Sequence, residues 1–429
     1  MKKCIKFIFL ILILIFIIYL LYININKKQE KNNEINIVDT IYEKLKDESI
    51  SKEFLVWIKE NYNDSLNELS KILEKEDYNK NVWHEVTGNS YIVLNDLYNK
   101  EYEKINNVKI INSNNPSTLS FVGDVSLADN WYIAPKYDER NKGIYGILSK
   151  SVVDIMTKSD LMVANSEFTV SNRGTPLAGK TYTFRAKPER LAIYYEMGVD
   201  LVTLANNHVY DYGDQAFLDM LDAFDQYEIP RIGAGKNLDE AKRPYYFIIN
   251  GYKIAFINAN RSEKNIMTKG ADDNSLGVFR CYDPTNMINQ IKEVKQNSDY
   301  VIAIIHYGKE FSHELEKEQV ESSKKYIDAG ADVVVGHHAH VLQGIEFYNN
   351  KPIIYNLGNF IFNEETVDTA IFQIVLNSDG TMDYYILPAL QKDEYTDLLS
   401  GIEKKRVIND LNSWSINAFV NEDGKIVKK

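Results

Sequence analysis

The stretch LSFVGDVSL at Leu119–Leu127 decides the fold class of this chain. Its apolar residues predict a buried strand that ends on a glycine and an aspartate. Four later strands are predicted to end in the same manner, each followed at once by polar residues. Because ligands in open α/β sheets bind at the carboxyl ends of strands, we expect the polar groups to converge in space. The five clusters begin at Gly123-Asp124, Asn165-Ser166-Glu167, Asn206-Asn207-His208, His306 and Gly336-His337-His338-Ala339-His340.

Outward from this stretch, predicted strands and helices alternate, which is typical of α/β layers. Helices are predicted at Pro188–Met197, Asp214–Tyr227 and Glu318–Asp328. Asn250-Gly251 separates two apolar runs and predicts a β-hairpin, and Asp379-Gly380 does the same nearer the C-terminus. This mixture of hairpins and strand–helix units favours a two-sheet α/β sandwich over a Rossmann sheet.

The N-terminus carries an unbroken apolar run from Phe7 to Ile23, preceded by three lysines. The run has roughly the ~20 residues that span a bilayer, and no small-residue cleavage site follows it. Residues 1–26 are therefore predicted to be an uncleaved, single-pass anchor in the cell membrane. We interpret the polar residues 27–36 as a linker, and we expect the main domain to be extracellular.

The remaining sequence predicts three further segments. Residues 37–112 carry apolar positions at helical spacings and predict a small helical subdomain. Its one histidine, His84, is expected to pack beside a tryptophan. A run rich in asparagine and serine before Pro116 indicates a boundary. We therefore expect the main domain at 113–400 and a C-terminal helix and tail at 401–429.

The composition and one short motif argue against a nucleic-acid partner, a disulfide framework and a nucleotide site. The formal net charge is −12, which disfavours a nucleic-acid partner because phosphate contacts need a concentrated basic surface. The two cysteines are Cys4, in the apolar run, and the distant Cys281, so no disulfide framework is expected. Gly179-Lys180-Thr181 lacks the glycine spacing of a P-loop, so no nucleotide site is predicted there.

The polar clusters contain five of the seven histidines. Histidine, carboxylate and amide groups together suit divalent metals such as manganese, iron or zinc. His338 and His340, two residues apart on one loop, are placed to hold one ion. Alone, each cluster also has a plainer interpretation: Asp124 would cap a turn, and Asn206-Asn207 would begin the following helix. Repetition at five strand ends favours a metal centre.

Seven short motifs follow one another along the chain: GDVSL (Gly123–Leu127), ANSE (Ala164–Glu167), FRAKPE (Phe184–Glu189), ANNHVYDYG (Ala205–Gly213), HYGKE (His306–Glu310), GHHAHV (Gly336–Val341) and NLGNF (Asn356–Phe360). In this order they resemble the motifs of the CapA family of capsule synthesis proteins. The resemblance covers roughly Ser117 to Phe362. It implies a fold of the calcineurin-like metallophosphoesterase type and a function in the synthesis or export of poly-γ-glutamate.

The same resemblance implies roles for individual residues. Two divalent ions are expected, held by Asp124, Glu167, Asn207, His306, His338 and His340. Catalysis is expected to depend on His208, Asp124 and Asn207. Of these, the His208 imidazole is expected to protonate a leaving group. The candidate substrate contacts are Arg185, Lys187, Asn165, Glu310 and Asn359. Of these, Arg185 or Lys187 is expected to hold an anionic group.

The sequence departs from the metallophosphoesterase pattern at two places. Ser126 stands where the first motif has a histidine, and Asn165 or Glu167 stands where a metal-bridging aspartate is expected. Two functions therefore stay open. One is a cell-surface, metal-dependent hydrolase of the phosphoesterase type that acts on an anionic polymer or a phosphoester. The other is a non-catalytic accessory or polymer-binding subunit, working beside other membrane subunits of a capsule assembly complex.

Overall fold

The structure is a computed structural model. It describes residues 37–101, 107–111, 113, 116–262 and 267–429, with Tyr19 and Ile23 as isolated positions. The predicted anchor at 1–26 and linker at 27–36 otherwise lie outside the described residues. Across the part that is described, no helix is both long and apolar enough to cross a membrane. The chain divides into two compact units, Met1–Lys104 and Ile105–Lys429.

The described part of the first unit is helical. Helix α1 covers residues 37–45 and runs into a 3-10 turn at Lys46–Glu48. Ser51 and Ser90 accept hydrogen bonds from backbone N–H groups at the starts of the helices that begin at Lys52 and Tyr91, which stabilises both helices. Phe54 and Trp83 pack edge to face in the core of this unit. The other helices are α2 (Lys52–Asn61), α3 (Ser65–Leu73), α4 (Val82–Thr87), which contains His84, and α5 (Tyr91–Tyr98).

The second unit contains strands, helices and two 3-10 helices in an alternating order. Its described strands are β1 (Val108–Ile111), β2 (Ser117–Val125), β3 (Leu161–Ser166), β4 (Thr169–Val170), β5 (Arg185–Ala186), β6 (Leu201–Thr203), β7 (Arg231–Ile232), β8 (Ala234–Gly235), β9 (Tyr245–Ile249), β10 (Tyr252–Asn260), β11 (Gly277–Val278), β12 (Tyr300–His306), β13 (Val333–His337), β14 (Ile345–Tyr348), β15 (Lys351–Ile354), β16 (Asn359–Ile361), β17 (Val367–Leu376), β18 (Met382–Lys392), β19 (Tyr395–Leu398), β20 (Ala418–Val420) and β21 (Lys425–Lys428). Its described helices are α6 (Ile133–Arg140), α7 (Lys150–Lys158), α8 (Ala192–Glu196), α9 (Gly213–Gln226), α10 (Leu238–Ala241), α11 (Thr285–Lys295), α12 (Lys317–Ala329) and α13 (Gly401–Trp414), with 3-10 helices at Gly143–Gly146 and Pro188–Leu191.

Two large sheets organise these elements. The first has the order β1-β9-β10-β12-β13-β15-β14, and the second has the order β20-β21-β18-β17-β2-β3-β6-β7, with β16 beside β2 and β19 beside β18. The sheets pack face to face, because Phe121 of β2 and Phe256 of β10 share one core with ring centroids 6.3 Å apart. Helix α9 packs on the outer side of the second sheet, and α11 and α12 pack on that of the first. This is the α/β architecture with two sheets that the sequence predicts.

The hairpins follow from turn chemistry. Asn250 and Gly251 have φ angles of 50° and 73°, the left-handed pair that a two-residue hairpin turn requires. They join β9 to the antiparallel β10. Asn349 and Asn350 do the same between β14 and β15.

The predicted domain boundaries differ from the observed ones at both ends of the second unit. Strand β1 pairs in parallel with β9, so Val108–Ile111 belongs to the second unit rather than to the helical segment 37–112. An apolar run this short has no periodicity that distinguishes strand from helix. The segment 401–429 forms α13, β20 and β21, and β21 extends the second sheet by pairing with β18, so this segment is not a tail.

Only glycine fits at position 123, directly before Asp124, because the backbone there is in close contact with another segment. The Asp124 N–H donates to the carbonyl of Gly358 at 2.9 Å. A Cβ atom on Gly123 would lie 1.9 Å from that same oxygen, closer than any side-chain carbon can approach. The glycine therefore allows β2 and the segment before β16 to meet, which positions Asp124 and Asn359 side by side.

Candidate metal centre

The carboxyl ends of five strand segments bring the polar clusters together. β2, β3 and β6 run parallel in one sheet, and β12 and β13 run parallel in the other. Asp124 and Glu167 are fully buried, and His306 is 1% exposed. Buried charged and titratable groups are expensive unless they are paired or coordinate metals, so this convergence indicates a binding site.

Asp124 lies within a ring of backbone and imidazole nitrogens from the loop after β13. Its Oδ1 atom is 3.3 Å from His337 Nδ1, and its Oδ2 atom is 3.3 Å from His340 Nδ1. The His338 N–H donates to Oδ2 at 3.3 Å. Burial alone would raise the pKa of Asp124, but His337 and His340 lower it well below its ordinary value. The carboxylate is therefore ionised.

Residues 336–340, which we call the histidine loop, are held in an unusual backbone conformation. His338 has a φ angle of 97° and His340 one of 60°, in the left-handed region that branched or bulky residues rarely adopt. Such strain persists where surrounding structure fixes it, and it is common at functional sites. Here it turns successive histidines toward Asp124.

Glu167 has one oxygen with a partner and one without. Its Oε2 atom accepts from Asn165 Nδ2 at 3.1 Å. Its Oε1 atom lies 3.6 Å from His306 Nε2 and 4.0 Å from His208 Nε2, and no described residue gives it a hydrogen bond. Burial, followed by the charge of Asp124, raises the pKa of Glu167 well above its ordinary value.

Two sets of three side chains could each hold a cation. The first is Glu167, His306 and His338, and the second is Asp124, Glu167 and His340. In each set the ligand atoms lie within 4.8 Å of one another. Glu167 belongs to both sets, so its carboxylate is placed to bridge two ions, the role that the sequence left open between Asn165 and Glu167.

The two imidazoles of the first set are in a protonation state that fits a divalent cation, whereas Asp124 raises the pKa of His340 in the second set against the effect of burial. Burial lowers the pKa of His306, and burial together with His340 lowers the pKa of His338 to about 3. Both imidazoles are therefore neutral and have a lone pair to give. Glu167 Oε1 and His338 Nδ1 are buried atoms without hydrogen-bond partners among the described residues. A carboxylate–imidazole donor set of this kind suits manganese, iron or zinc.

Asn207 lies at the edge of the first set. Its Oδ1 atom is 2.7 Å from His306 Nε2, the same nitrogen that faces Glu167. The amide oxygen is therefore available as a further ligand of the first set, in the position that the family resemblance implies.

His208 is oriented by a residue for which the sequence predicted no such role. Its Nδ1 atom is 2.7 Å from Asp211 Oδ2, which also accepts from the Phe184 N–H at 2.8 Å. The buried Lys180 ammonium lies 2.8 Å from Asp211 Oδ1 and bonds to the carbonyl of Asn207. The sequence predicts no role for Asp211, which lies within the motif at Ala205–Gly213, and Lys180 belongs to the triplet without P-loop spacing, so no sequence pattern indicates this contact.

The predicted substrate contacts fall into two groups, of which the first lies at the cluster. Asn165 Nδ2 donates to Asp124 Oδ1 at 2.8 Å as well as to Glu167, so its side chain connects the two carboxylates. Asn359 Oδ1 lies 2.8 Å from His340 Nδ1. Glu310 is half-exposed, with Oε1 3.9 Å from His338 Nε2, which places it at the entrance.

Arg185 and Lys187 form the second group, and the structure does not bring their charged ends to the cluster. The Arg185 guanidinium donates to the carbonyls of Arg173 and Gly174 and lies over the Tyr212 ring at 4.4 Å. Lys187 is exposed. Among the described residues, no hydrogen bond or ion pair joins either side chain to the metal-ligand groups.

Ser126 occupies the place of the missing first-motif histidine. It is fully buried, and its Oγ atom has no hydrogen-bond partner within the described part of the chain. His337, which the sequence places in the histidine loop without assigning it a metal, adds a second imidazole beside Asp124, next to that of His340.

Comparisons with known proteins show the family of the chain. The sequence model of the family described as bacterial capsule synthesis protein PGA_cap matches residues 118–364. PGA biosynthesis protein CapA of Bacillus subtilis (strain 168) is 32% identical over 322 residues, which are 72% of this chain and 81% of that protein. Capsule biosynthesis protein CapA of Bacillus anthracis is 29% identical over 313 residues, 70% of this chain and 73% of that one. The structure of Haemophilus influenzae NAD nucleotidase aligns with a TM-score of 0.34 and 15% identity over 71% of this chain and 65% of that one, a similarity too distant to indicate function.

Proposed function

The chain belongs to the bacterial capsule synthesis protein PGA_cap family, and on that premise we propose that it is a metal-dependent hydrolase of the phosphoesterase type. It works at the cell surface, anchored by residues 1–26, in the synthesis or export of a poly-γ-glutamate-type capsule. Its partners are the membrane itself and other membrane subunits of the capsule machinery. The names of the two Bacillus relatives support the pathway, and the apolar N-terminal run supports the anchor.

One observation carries the enzymatic proposal. Glu167 is a fully buried carboxylate shared by two sets of candidate ligands, and its Oε1 atom has no hydrogen-bond partner among the described residues. A subunit that served only as a scaffold would gain nothing from such a group, since an unpaired buried carboxylate destabilises the fold. A pair of cations removes that cost.

The chain's own residues supply positioning and proton transfer. Divalent cations held by the two sets supply Lewis-acid polarisation of phosphoryl oxygens. His208 Nε2 faces the Glu167 side of the cluster, and Asp211 accepts from Nδ1. A protonated His208 is therefore held with its second N–H toward the substrate, where it donates to the leaving-group oxygen. The Phe184 ring, 4.3 Å from that of His208, excludes water from one side.

The test uses the purified full-length chain, loaded with Mn²⁺ and assayed against a panel of phosphoesters. Asp124→Ala is expected to lose both bound metal and turnover. His208→Gln is expected to retain the metal while kcat falls by about 10²–10⁴, the usual contribution of a general acid. His84→Gln, in the helical unit, is the matched histidine control and is expected to behave as the unmodified chain.

The outcome also decides between the two functions. A metal-free protein without turnover of any phosphoester would contradict the hydrolase and favour the non-catalytic accessory or polymer-binding subunit, an alternative that Ser126 in the first motif supports. Protease digestion of intact cells tests the placement: the main domain is expected to be cleaved from outside, and its protection would contradict an extracellular site.

A further inference from the structure

Aromatic side chains form a continuous arc beside the metal-ligand cluster. Phe311 lies 5.6 Å from the His340 ring, and Phe362 lies 4.8 Å from the same ring, so the imidazole joins these two phenylalanines. Phe184 follows at 5.5 Å from Phe362. Trp131 lies 4.7 Å from Phe184 and contacts the last two rings, Tyr132 and Tyr182, at 4.7 and 5.7 Å. We call these six residues the aromatic arc: Phe311, Phe362, Phe184, Trp131, Tyr132 and Tyr182.

The two ends of the aromatic arc face solvent. Phe311 is 62% exposed and Tyr182 is 58% exposed, whereas Phe184 and Phe362 between them are buried. Ligand sites combine aromatic side chains with a few convergent polar groups, and the aromatic arc adjoins such groups at His340 and His208. The arc therefore extends the cluster outward as an apolar wall.

Phe311 is held in place against its own backbone preference. Its φ angle is 58°, in the left-handed region that bulky residues avoid. The Phe311 N–H donates to the carbonyl of Ala339 at 2.8 Å. Gln343 fixes the next turn by donating to the carbonyl of Ser312 at 2.9 Å, and Gln319 donates to Gln343 at 2.7 Å. This loop is tied to the histidine loop, so the exposed ring has a defined position.

The ring orientations and nearby charges indicate what the aromatic arc binds. Trp131 and Phe184 are tilted by 49°, and Phe184 and Phe362 cross at 88°, so neighbouring rings of the arc are not coplanar. Two carboxylates adjoin it: Glu310 near His338, and Glu364 beside the hydroxyl of Tyr132. Carboxylates accept hydrogen bonds from hydroxyl groups and repel a polyanion.

We propose that the aromatic arc binds a sugar ring that carries the phosphoester presented to the metal centre. The apolar face of the sugar packs on the exposed ring at one end of the arc, Phe311 or Tyr182, and its hydroxyls donate to the carboxylate at that end, Glu310 or Glu364. The proposal rests on the proposed function in that the phosphate is placed at the candidate ligands. It names the substrate class as sugar phosphates rather than polyglutamate or nucleotides.

The experiment measures binding and turnover separately on the full-length, Mn²⁺-loaded chain. Glucose 1-phosphate, glycerol 3-phosphate and adenosine monophosphate are titrated by calorimetry and assayed for phosphate release. Glucose 1-phosphate is expected to bind at least about tenfold more tightly than glycerol 3-phosphate, the contribution of one good aromatic contact. One of the two variants Phe311→Ala and Tyr182→Ala, the one at the end that binds the sugar, is expected to lower its affinity by about tenfold. Tyr145→Ala, a tyrosine 50% exposed outside the arc, is the matched control and retains the preference.

Each outcome has a distinct meaning. Equal affinity for the two non-nucleotide esters, no binding of either, or a preference that both variants retain would overturn the sugar assignment. Tighter binding of adenosine monophosphate would replace it with a nucleobase. Tighter binding of glucose 1-phosphate without phosphate release would support the sugar site of the aromatic arc and contradict the hydrolase. Phosphate release from all three compounds without a preference in binding would support the hydrolase and contradict the sugar site.

Discussion

Two glutamates of the second unit are equally buried and differ in their partners. Glu346, on β14 and 1% exposed, is paired with the Lys324 ammonium at 2.9 Å and accepts from the Tyr355 hydroxyl at 2.6 Å. Glu167, fully buried at the end of β3, has one bond from the Asn165 amide and faces imidazoles and Asp124. The chain pairs the first carboxyl group with a lysine, whereas no ion pair with a lysine or arginine among the described residues reaches the second, and its pKa is raised.

This difference separates a structural buried charge from a ligand. A buried carboxylate that already has its cation and hydrogen bonds contributes to the fold, and its removal leaves partners unpaired. A buried carboxylate with a free oxygen and neutral histidines around it is poised for a cation from solution. Burial alone therefore does not identify the site, whereas the unmet hydrogen-bonding capacity does.

The largest effect is expected from Glu346→Gln. The change leaves the Lys324 ammonium without its carboxylate, and breaking a buried pair costs about 3 kcal/mol, the lower end of the usual range because Lys324 is 33% exposed. Chemical denaturation measures the free energy of unfolding. Metal binding is expected to be retained, and a loss of metal in this variant would remove the distinction between the two glutamates.

Chelation is expected to have the next largest effect. An ion whose free concentration is about 100 times its Kd stabilises the native state by about 2.7 kcal/mol, and EDTA is expected to remove that stabilisation. Thermal unfolding with and without EDTA measures it. The same increment is expected in Glu346→Gln, and an unchanged Tm in both proteins would count against an ion at the cluster.

Proton competition is a smaller effect. Because burial and Asp124 raise the pKa of Glu167, its carboxyl holds a proton above its ordinary range when no cation is bound. Cation binding releases that proton, so affinity falls as the pH drops through the raised pKa, by up to tenfold, or about 1.4 kcal/mol, per pH unit. His338, with a pKa of about 3, stays neutral over this range. Calorimetry in buffers of different ionisation enthalpy counts the protons, and a count of zero would contradict this reading.

Rising pH raises the affinity of the site for a cation, but it lowers the stability of the metal-free fold. A carboxyl whose pKa is raised in the folded state stabilises the fold below its unfolded pKa and loses that contribution as the pH rises. The metal-free protein is therefore expected to lose stability with rising pH, and Glu167→Gln is expected to remove that dependence.

Tyr355→Phe is expected to have the smallest effect. It removes the hydroxyl that donates to Glu346 and costs about 1 kcal/mol, the usual net value of one hydrogen bond. Denaturation at fixed pH measures the loss, and metal content is the control that should not change. A cost above that of Glu346→Gln would show that the tyrosine, not the ion pair, dominates this region.

The sequence predicted the two-sheet α/β architecture and most of the candidate ligands that the structure brings together, because both depend on local patterns. Apolar runs ending in Gly123-Asp124 or in the histidine loop mark strand ends, and parallel strands bring those ends to one edge. The NG turn at Asn250 predicted its hairpin because both residues tolerate positive φ. Such features need no knowledge of distant contacts.

What the sequence did not predict depends on contacts between remote segments. Lys180 reaches Asp211 across two loops, and no residue pattern encodes that contact. Arg185 carries the expected charge, yet its guanidinium bonds to the backbone of a neighbouring loop. Strand β1 was included with the helices because four residues carry too little periodicity.

Metal stoichiometry in Glu167→Gln tests the central claim most directly. Elemental analysis of the purified full-length chain, equilibrated with Mn²⁺ and then desalted, is expected to give two ions per unmodified chain and two in Glu346→Gln. Because Glu167 belongs to both ligand sets, Glu167→Gln is expected to lose both ions while circular dichroism stays unchanged. Two ions retained in Glu167→Gln, or none in the unmodified chain, would contradict a carboxylate shared between two metal sites.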